Sequence, residues 1–156
     1  MSRARFVAPA LLALCSALAQ AEEHGRDTPL PPPLPKFQQE CGACHLAYPP
    51  GLLPAASWRH LMETLPRHFG VDASLDAATA RELGGWLAAN AGTGRRTAET
   101  PPQDRPTQSA WFARKHREIA PATWTRAAVK SPANCTACHP GAEQGDFDEH
   151  QVRIPR

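Results

Sequence analysis

The sequence predicts an all-α protein with few or no strands, and three observations carry that expectation. Apolar residues recur at three- and four-residue spacing in short stretches, as in Trp58, Leu61, Met62 and Leu65. Clusters of proline and glycine separate these stretches and preclude long helices between them. The pentapeptide Cys41-Gly42-Ala43-Cys44-His45 recurs as Cys135-Thr136-Ala137-Cys138-His139, with no strand-rich pattern around either copy.

Cys-x-x-Cys-His is the pattern for covalent attachment of c-type haem. Two cysteines three apart on one helical turn can each bond a vinyl group of one porphyrin. The histidine that follows reaches the iron from the same side as a strong axial ligand. Half of a zinc site and a thioredoxin-like redox pair also use Cys-x-x-Cys, but here each copy brings its own histidine. Two haems, held through Cys41, Cys44, Cys135 and Cys138 with His45 and His139 as proximal ligands, are therefore expected.

Residues 1–21 read as a signal peptide. Arg3 and Arg5 precede an apolar run from Phe6 to Leu18, and small residues at Ala17, Ala19 and Ala21 offer cleavage after Ala19 or Ala21. The run is too short to span a bilayer, and no later segment approaches the ~20 apolar residues a membrane helix needs. Cys15 lies within the run after Leu14, where a lipoprotein anchor would want a small residue. The other four cysteines are consumed by the two pentapeptides, which leaves none for a disulfide. The expected product is an exported protein that does not span the membrane, located in the periplasm.

The formal charge of +2 includes Arg3 and Arg5, so it falls to zero after cleavage, and no nucleic-acid footprint is present. A weak dipole remains between residues 107–156, with seven basic and five acidic side chains, and residues 36–91, with four and five. At about 135 mature residues the chain could form one domain or two small ones. Its proline-rich, weakly apolar composition would make a poor core alone. A covalently held haem would serve as both staple and core.

Residues 22–35 are charged and then proline-rich, an extended tether in which His24 is solvated. A first haem domain is expected over 36–91. Its first helix, from Lys36, carries Phe37, Cys41 and Cys44 at helical spacing. Tyr48-Pro49-Pro50-Gly51-Leu52-Leu53-Pro54 reads as a loop along the haem edge. Ser57 is the expected N-cap of a helix bearing Trp58, Leu61, Met62 and Leu65, closed by Pro66. His60 lies roughly 150° from the centre of that apolar stripe, which makes it a surface histidine. His68, between Leu65 and Phe69 and before the turn at Gly70, has the neighbours that a haem face wants. A last helix, starting near Asp72 or Ser74, carries Leu83, Trp86 and Leu87 and ends around Asn90 to Gly92. Three helices about one haem make a cytochrome c-like N-terminal domain.

Residues 92–107 lack apolar periodicity and read as a linker to a smaller, mostly helical C-terminal haem domain at 108–156. There Trp111, Phe112, His116 and Ile119 can share one side of a helix, with Arg114, Arg117 and Glu118 on the other. A turn at Pro121 leads to Trp124 and a short helical run to Val129, and Ser131 to Asn134 open the second pentapeptide. In the tail, His150, Val152 and Ile154 would share a side if extended.

Each iron needs a sixth ligand or an open position. Met62 is the only methionine beyond the leader, and its place in the apolar stripe favours core packing. Histidines are the better supply. His68 is the expected distal ligand opposite His45, and His116 the one opposite His139. Crossed pairing stays open, and His150 is second to His116.

The stretches ECGACHLAYPPGLLPAASW from Glu40, HFG at His68, DASLD from Asp72, WFARKHREI from Trp111, SPANCTACHPGAEQGDFDEH from Ser131 and VRIP from Val152 resemble the small dihaem cytochrome c family of bacterial periplasms. The resemblance spares only the tether and the linker. It implies two low-potential, bis-histidine haems, with His68 and His116 at the positions of the family's distal histidines. It also implies redox partners, a membrane cytochrome b and a monohaem, oxygen-binding cytochrome of the SHP type.

An electron carrier, not an enzyme, is thus the leading expectation. The alternatives are a peroxidase- or reductase-like haem enzyme and a gas-binding haem sensor, each of which requires one open or labile axial site, or a structural subunit of a membrane oxidase.

Overall fold

The computed structural model describes residues 33–156, so the leader reading of 1–21 and most of the tether at 22–35 lie outside the described residues. Helix α1, Pro35–Cys41, has proline in its first turn, where the missing N–H costs nothing. It buries Phe37 and stops at Gly42, whose N–H bonds Gln38 O at 2.9 Å. A side chain at Gly42 would lie 2.3 Å from that same oxygen, so the close turn requires glycine. The helix thus ends one turn earlier than the Cys41 and Cys44 spacing suggests, and Cys44 is exposed on the turn that follows.

Helix α2, Ala55–Glu63, starts after Pro54, so Ser57 is not its N-cap. The extended Pro54 already sets the entry of the chain, and Ser57 falls inside the first turn, fully buried. Thr64 ends this helix, its hydroxyl donating to His60 O at 2.7 Å, and Pro66 lies in the 3-10 turn Leu65–Arg67 beyond it. Helix α3, Ala77–Ala89, begins later than expected because Asp76 caps it, accepting from the N–H groups of Ala78 and Thr79 at 2.9 and 3.0 Å. Asp72 and Ser74 instead bond each other in the preceding turn.

Helices α2 and α3 pack together, and the core between them and α1 comprises Phe37, Leu53, Trp58, Leu83 and Leu87. Each such side chain contributes about 1.5–3 kcal/mol of burial. Trp58 satisfies its indole N–H on Pro50 O at 2.8 Å, which draws the proline loop, with its 3-10 turn Pro50–Leu52, onto this core.

The segment 92–107 is closely packed. Gly92 donates to Leu53 O at 2.9 Å, and a side chain there would meet Gly51 O at 2.4 Å. The 3-10 turns Arg95–Thr97, Pro102–Asp104 and Pro106–Gln108 follow, with Thr97 and Asp104 buried. Exposed His60, as its place on the helix predicts, points away from the core. Its Nδ1 lies 2.6 Å from Asp104 Oδ2 and so ties α2 to this segment.

Ser109 caps helix α4, Ala110–Lys115, by accepting from Phe112 N–H. Helix α5, Pro121–Trp124, is a single turn, and the second pentapeptide forms the 3-10 turn Cys135–Ala137. Among the described residues no strand forms, and only an isolated bridge joins His68 and Val71. The apolar side chains buried in the second half are Val129 and Ala142, a far smaller core than that of the first half.

Leu83→Ala should lower the unfolding free energy of the holoprotein by about 2–5 kcal/mol in a urea titration. Gly92→Ala should cost about 1–3 kcal/mol through overpacking against Gly51 and Thr97. A neutral result at Gly92 would mean that the connector separates easily from the first half.

Candidate haem centres

Two histidine pairs face one another, one in each half. His45 sits in the turn after α1, and its Nδ1 lies 2.7 Å from Leu46 O. His68 follows the 3-10 turn at Leu65–Arg67, where positive φ angles at Phe69 (49°) and Gly70 (97°) reverse the chain. The imidazole centroids of His45 and His68 are 6.1 Å apart and their planes differ by 17°. Phe69 meets His68 edge-on at 4.8 Å, with the Arg105 guanidinium 4.1 Å above the Phe69 ring. Tyr48 lies 5.4 Å from His45, between centroids.

In the second half, α4 ends at Lys115 and His116 is its C-cap. The stripe expected of Trp111, Phe112, His116 and Ile119 survives this early stop, since all four are half-buried while Arg114, Arg117 and Glu118 are exposed. His116 Nδ1 reaches Phe112 O at 3.0 Å, and its ring stacks on that of Phe112 at 3.9 Å. Trp124 lies 5.8 Å away. His139 faces His116 at 6.2 Å with the planes crossed at 74°, and Phe147 packs on His139 at 5.4 Å. The tail returns to the pentapeptide, Arg153 N–H donating to Cys138 O at 2.9 Å. His150 is exposed on the turn Glu149–Gln151, and the imidazole that meets His139 is that of His116.

The pair separations fit a bis-imidazole metal site. Two metal–nitrogen bonds of about 2 Å each, plus roughly 1 Å from each ring nitrogen to its centroid, give about 6 Å between rings. A carbonyl only accepts, so His45 and His116 carry the proton on Nδ1 and leave Nε2 as the lone pair for a metal. The Nδ1 atoms of His68 and His139 are buried and lack a hydrogen-bond partner among the described residues. Burial is the main cause that pushes the pKa of both rings down; the neighbouring histidine acts in the same direction, and Asp146 opposes it at His139. Neutral imidazole is the form that binds iron. Burial also pushes the Cys41 thiol up to about 11 and raises Cys135 and Cys138, and none of the four pentapeptide cysteines pairs in a disulfide. Among the described residues no group of three or more His, Cys, Asp or Glu side chains converges as a zinc site would need.

The dihaem cytochrome c family model matches residues 37–147, most of the chain and both pentapeptides. This chain belongs to the dihaem cytochrome c family. The solved diheme cytochrome type c of Shewanella baltica OS155 is 38% identical over 78% of this chain and 92% of its own, with a TM-score of 0.68. The diheme cytochrome c of Rhodobacter sphaeroides is 46% identical over 73% of this chain and 96% of its own, with a TM-score of 0.65. No curated protein matches the chain. A dihaem cytochrome c carries two covalently bound haem c groups, and the residues that could hold them here are the two cysteines of each pentapeptide and the facing histidines. Sequence reasoning missed Phe147 and the ring contact of Tyr48. The one signal available for either was an aromatic residue three to eight positions beyond a haem pentapeptide.

With these pairs as axial ligands, the ring angles predict two unlike low-spin EPR signals in the oxidised protein. Near-parallel rings should give a rhombic signal at the first centre, and crossed rings a strongly anisotropic one at the second. Two matching rhombic signals would contradict the crossed geometry. Replacing Cys135 and Cys138 with alanine should remove one haem and make residues 108–156 far more sensitive to limited proteolysis, because Val129 and Ala142 are too little core to hold them. A resistant C-terminal half would contradict that account.

Proposed function

We propose that this dihaem cytochrome is a periplasmic electron carrier with two bis-histidine irons. The observation that carries the reading is the facing of one imidazole pair in each half at a separation matched to a metal between them. Each haem supplies a one-electron ferric/ferrous couple when bound. His45 and His139 would hold the iron from the attachment side, and His68 and His116 would supply the second imidazole, which would leave no substrate position. Stacking on Phe112, the Nδ1 bond to Phe112 O and the nearby Trp124 ring hold His116 in orientation. Histidines fixed in this way would need to move little when an electron arrives or leaves, which would favour rapid exchange.

Met62 packs against the first core, and its thioether is used there for filling space. With imidazole on both faces, neither haem gains the stabilisation of ferrous iron that a thioether ligand gives, so both potentials are low. The leader features at Arg3, Arg5 and Ala17 to Ala21 support export, and the family resemblance supports transfer between a membrane cytochrome b and a soluble monohaem cytochrome of the SHP type. No helix of the described residues is long and apolar enough to cross a membrane.

Carbon monoxide added to the reduced holoprotein should leave the optical spectrum unchanged, because both irons are closed. Uptake by either haem would overturn the carrier reading in favour of a gas-binding or enzymatic one. His68→Ala and His116→Ala should each retain both haems and open one iron to the gas. A variant whose spectrum stays that of two closed haems would remove the residue from the ligand set.

A further inference from the structure

Tyr48 is the only tyrosine of the chain, and it meets His45 of the first centre and the carbonyl of Ala133, two residues before the second pentapeptide. Its ring lies 5.4 Å from that of His45, tilted by 33°, on the proximal side of the first centre. Its hydroxyl donates to Ala133 O at 3.1 Å, across 85 positions of sequence. That carbonyl is 3.7 Å from Cys135 Sγ, the first attachment sulfur of the second centre. Burial raises the phenol to about 12, so at neutral pH it keeps the proton that it donates. The flanking chain fixes the ring. Ala47 and Tyr48 pack on the first core, and Pro49 and Pro50 are buried directly after them.

We infer that Tyr48 is a positioning residue for electron exchange between the two haems, linking the proximal ligand of the first to the attachment sulfur of the second. Electron tunnelling weakens more steeply across empty gaps than along bonds and hydrogen bonds. From the His45 ring the contacts run through the Tyr48 ring, its O–H and the Ala133 carbonyl to Cys135 Sγ, with one van der Waals contact, one hydrogen bond and one short approach. One electron moves from the reduced to the oxidised iron, and no proton has to leave the phenol. The inference rests on the two-centre carrier reading, and the wild-type EPR spectrum tests the axial ligands of that reading before any substitution is made.

The test is Tyr48→Phe in the holoprotein, after confirming two attached haems and an unchanged EPR spectrum. Inter-haem equilibration is followed after rapid one-electron reduction, together with both midpoint potentials and the small-angle scattering profile. The expected result is a several-fold slower equilibration with potentials and scattering unchanged, and a larger loss in Tyr48→Leu, which removes the ring as well. An unchanged rate in both variants overturns the inference. A slower rate accompanied by an expanded profile also overturns it, since Tyr48 would then be only a clasp between the halves. If the variants do not mature, uniform 3-fluorotyrosine labels this single site in the natural sequence. Its 19F resonance should shift in two steps as the haems are reduced in turn; a shift with one haem alone overturns the inference.

Discussion

The constraint on which this structure depends is the facing of two imidazoles in each half, at centroid separations of 6.1 and 6.2 Å. Apolar side chains left to themselves close gaps, because interiors pack to crystal density. Here the facing rings keep their separation in both halves, since each histidine ring is propped by aromatic neighbours and, for His45 and His116, by a carbonyl on Nδ1. The two halves differ in what surrounds the pair. The first has a helical core of five buried apolar residues and could hold its shape about an imperfect site. The second has Val129 and Ala142 and a series of single turns, so its haem is its core.

Much of this was legible in the sequence, for identifiable reasons. The pentapeptides declare themselves because attachment demands three fixed residue types at fixed spacing. The aromatic flanks of His68 and His116, which reflect local contacts within one turn of chain, single them out from the other histidines. The exposure of His60 followed from helix periodicity alone. What escaped was either an approach between distant segments or a local detail that no periodicity describes. The partner of His60 is Asp104, held at a positive φ of 54° in a stretch whose composition reads only as a connector. Ser57 has the chemistry of an N-cap, but Pro54 sets the start of the helix first, and the hydroxyl ends up buried. The ring contacts of Tyr48 with His45 and of Phe147 with His139 are local, three and eight positions apart, but they lie in loops that no periodicity describes.

Connector and halves form a continuous surface of contacts. Gly92 sits against Gly51, Arg105 covers Phe69 beside His68, and the loop Ala142–Gly145 faces Phe37, Pro49 and Trp86 across a small cleft. A change at the second pentapeptide can therefore be felt at the first through packing as well as through charge.

The order of ligands in the two halves carries a consequence for the unfolded chain. With the proposed pairs, His45 precedes His68 by 23 positions and His116 precedes His139 by 23, so the iron closes a loop of equal length in each half, on opposite sides of its attachment sulfurs. Loop-closure entropy depends on length and not on direction. The two clips therefore restrict the denatured ensemble to the same degree, and any difference in how firmly the halves hold their distal histidines must come from the folded side: helix and core in one, stacked aromatic rings in the other.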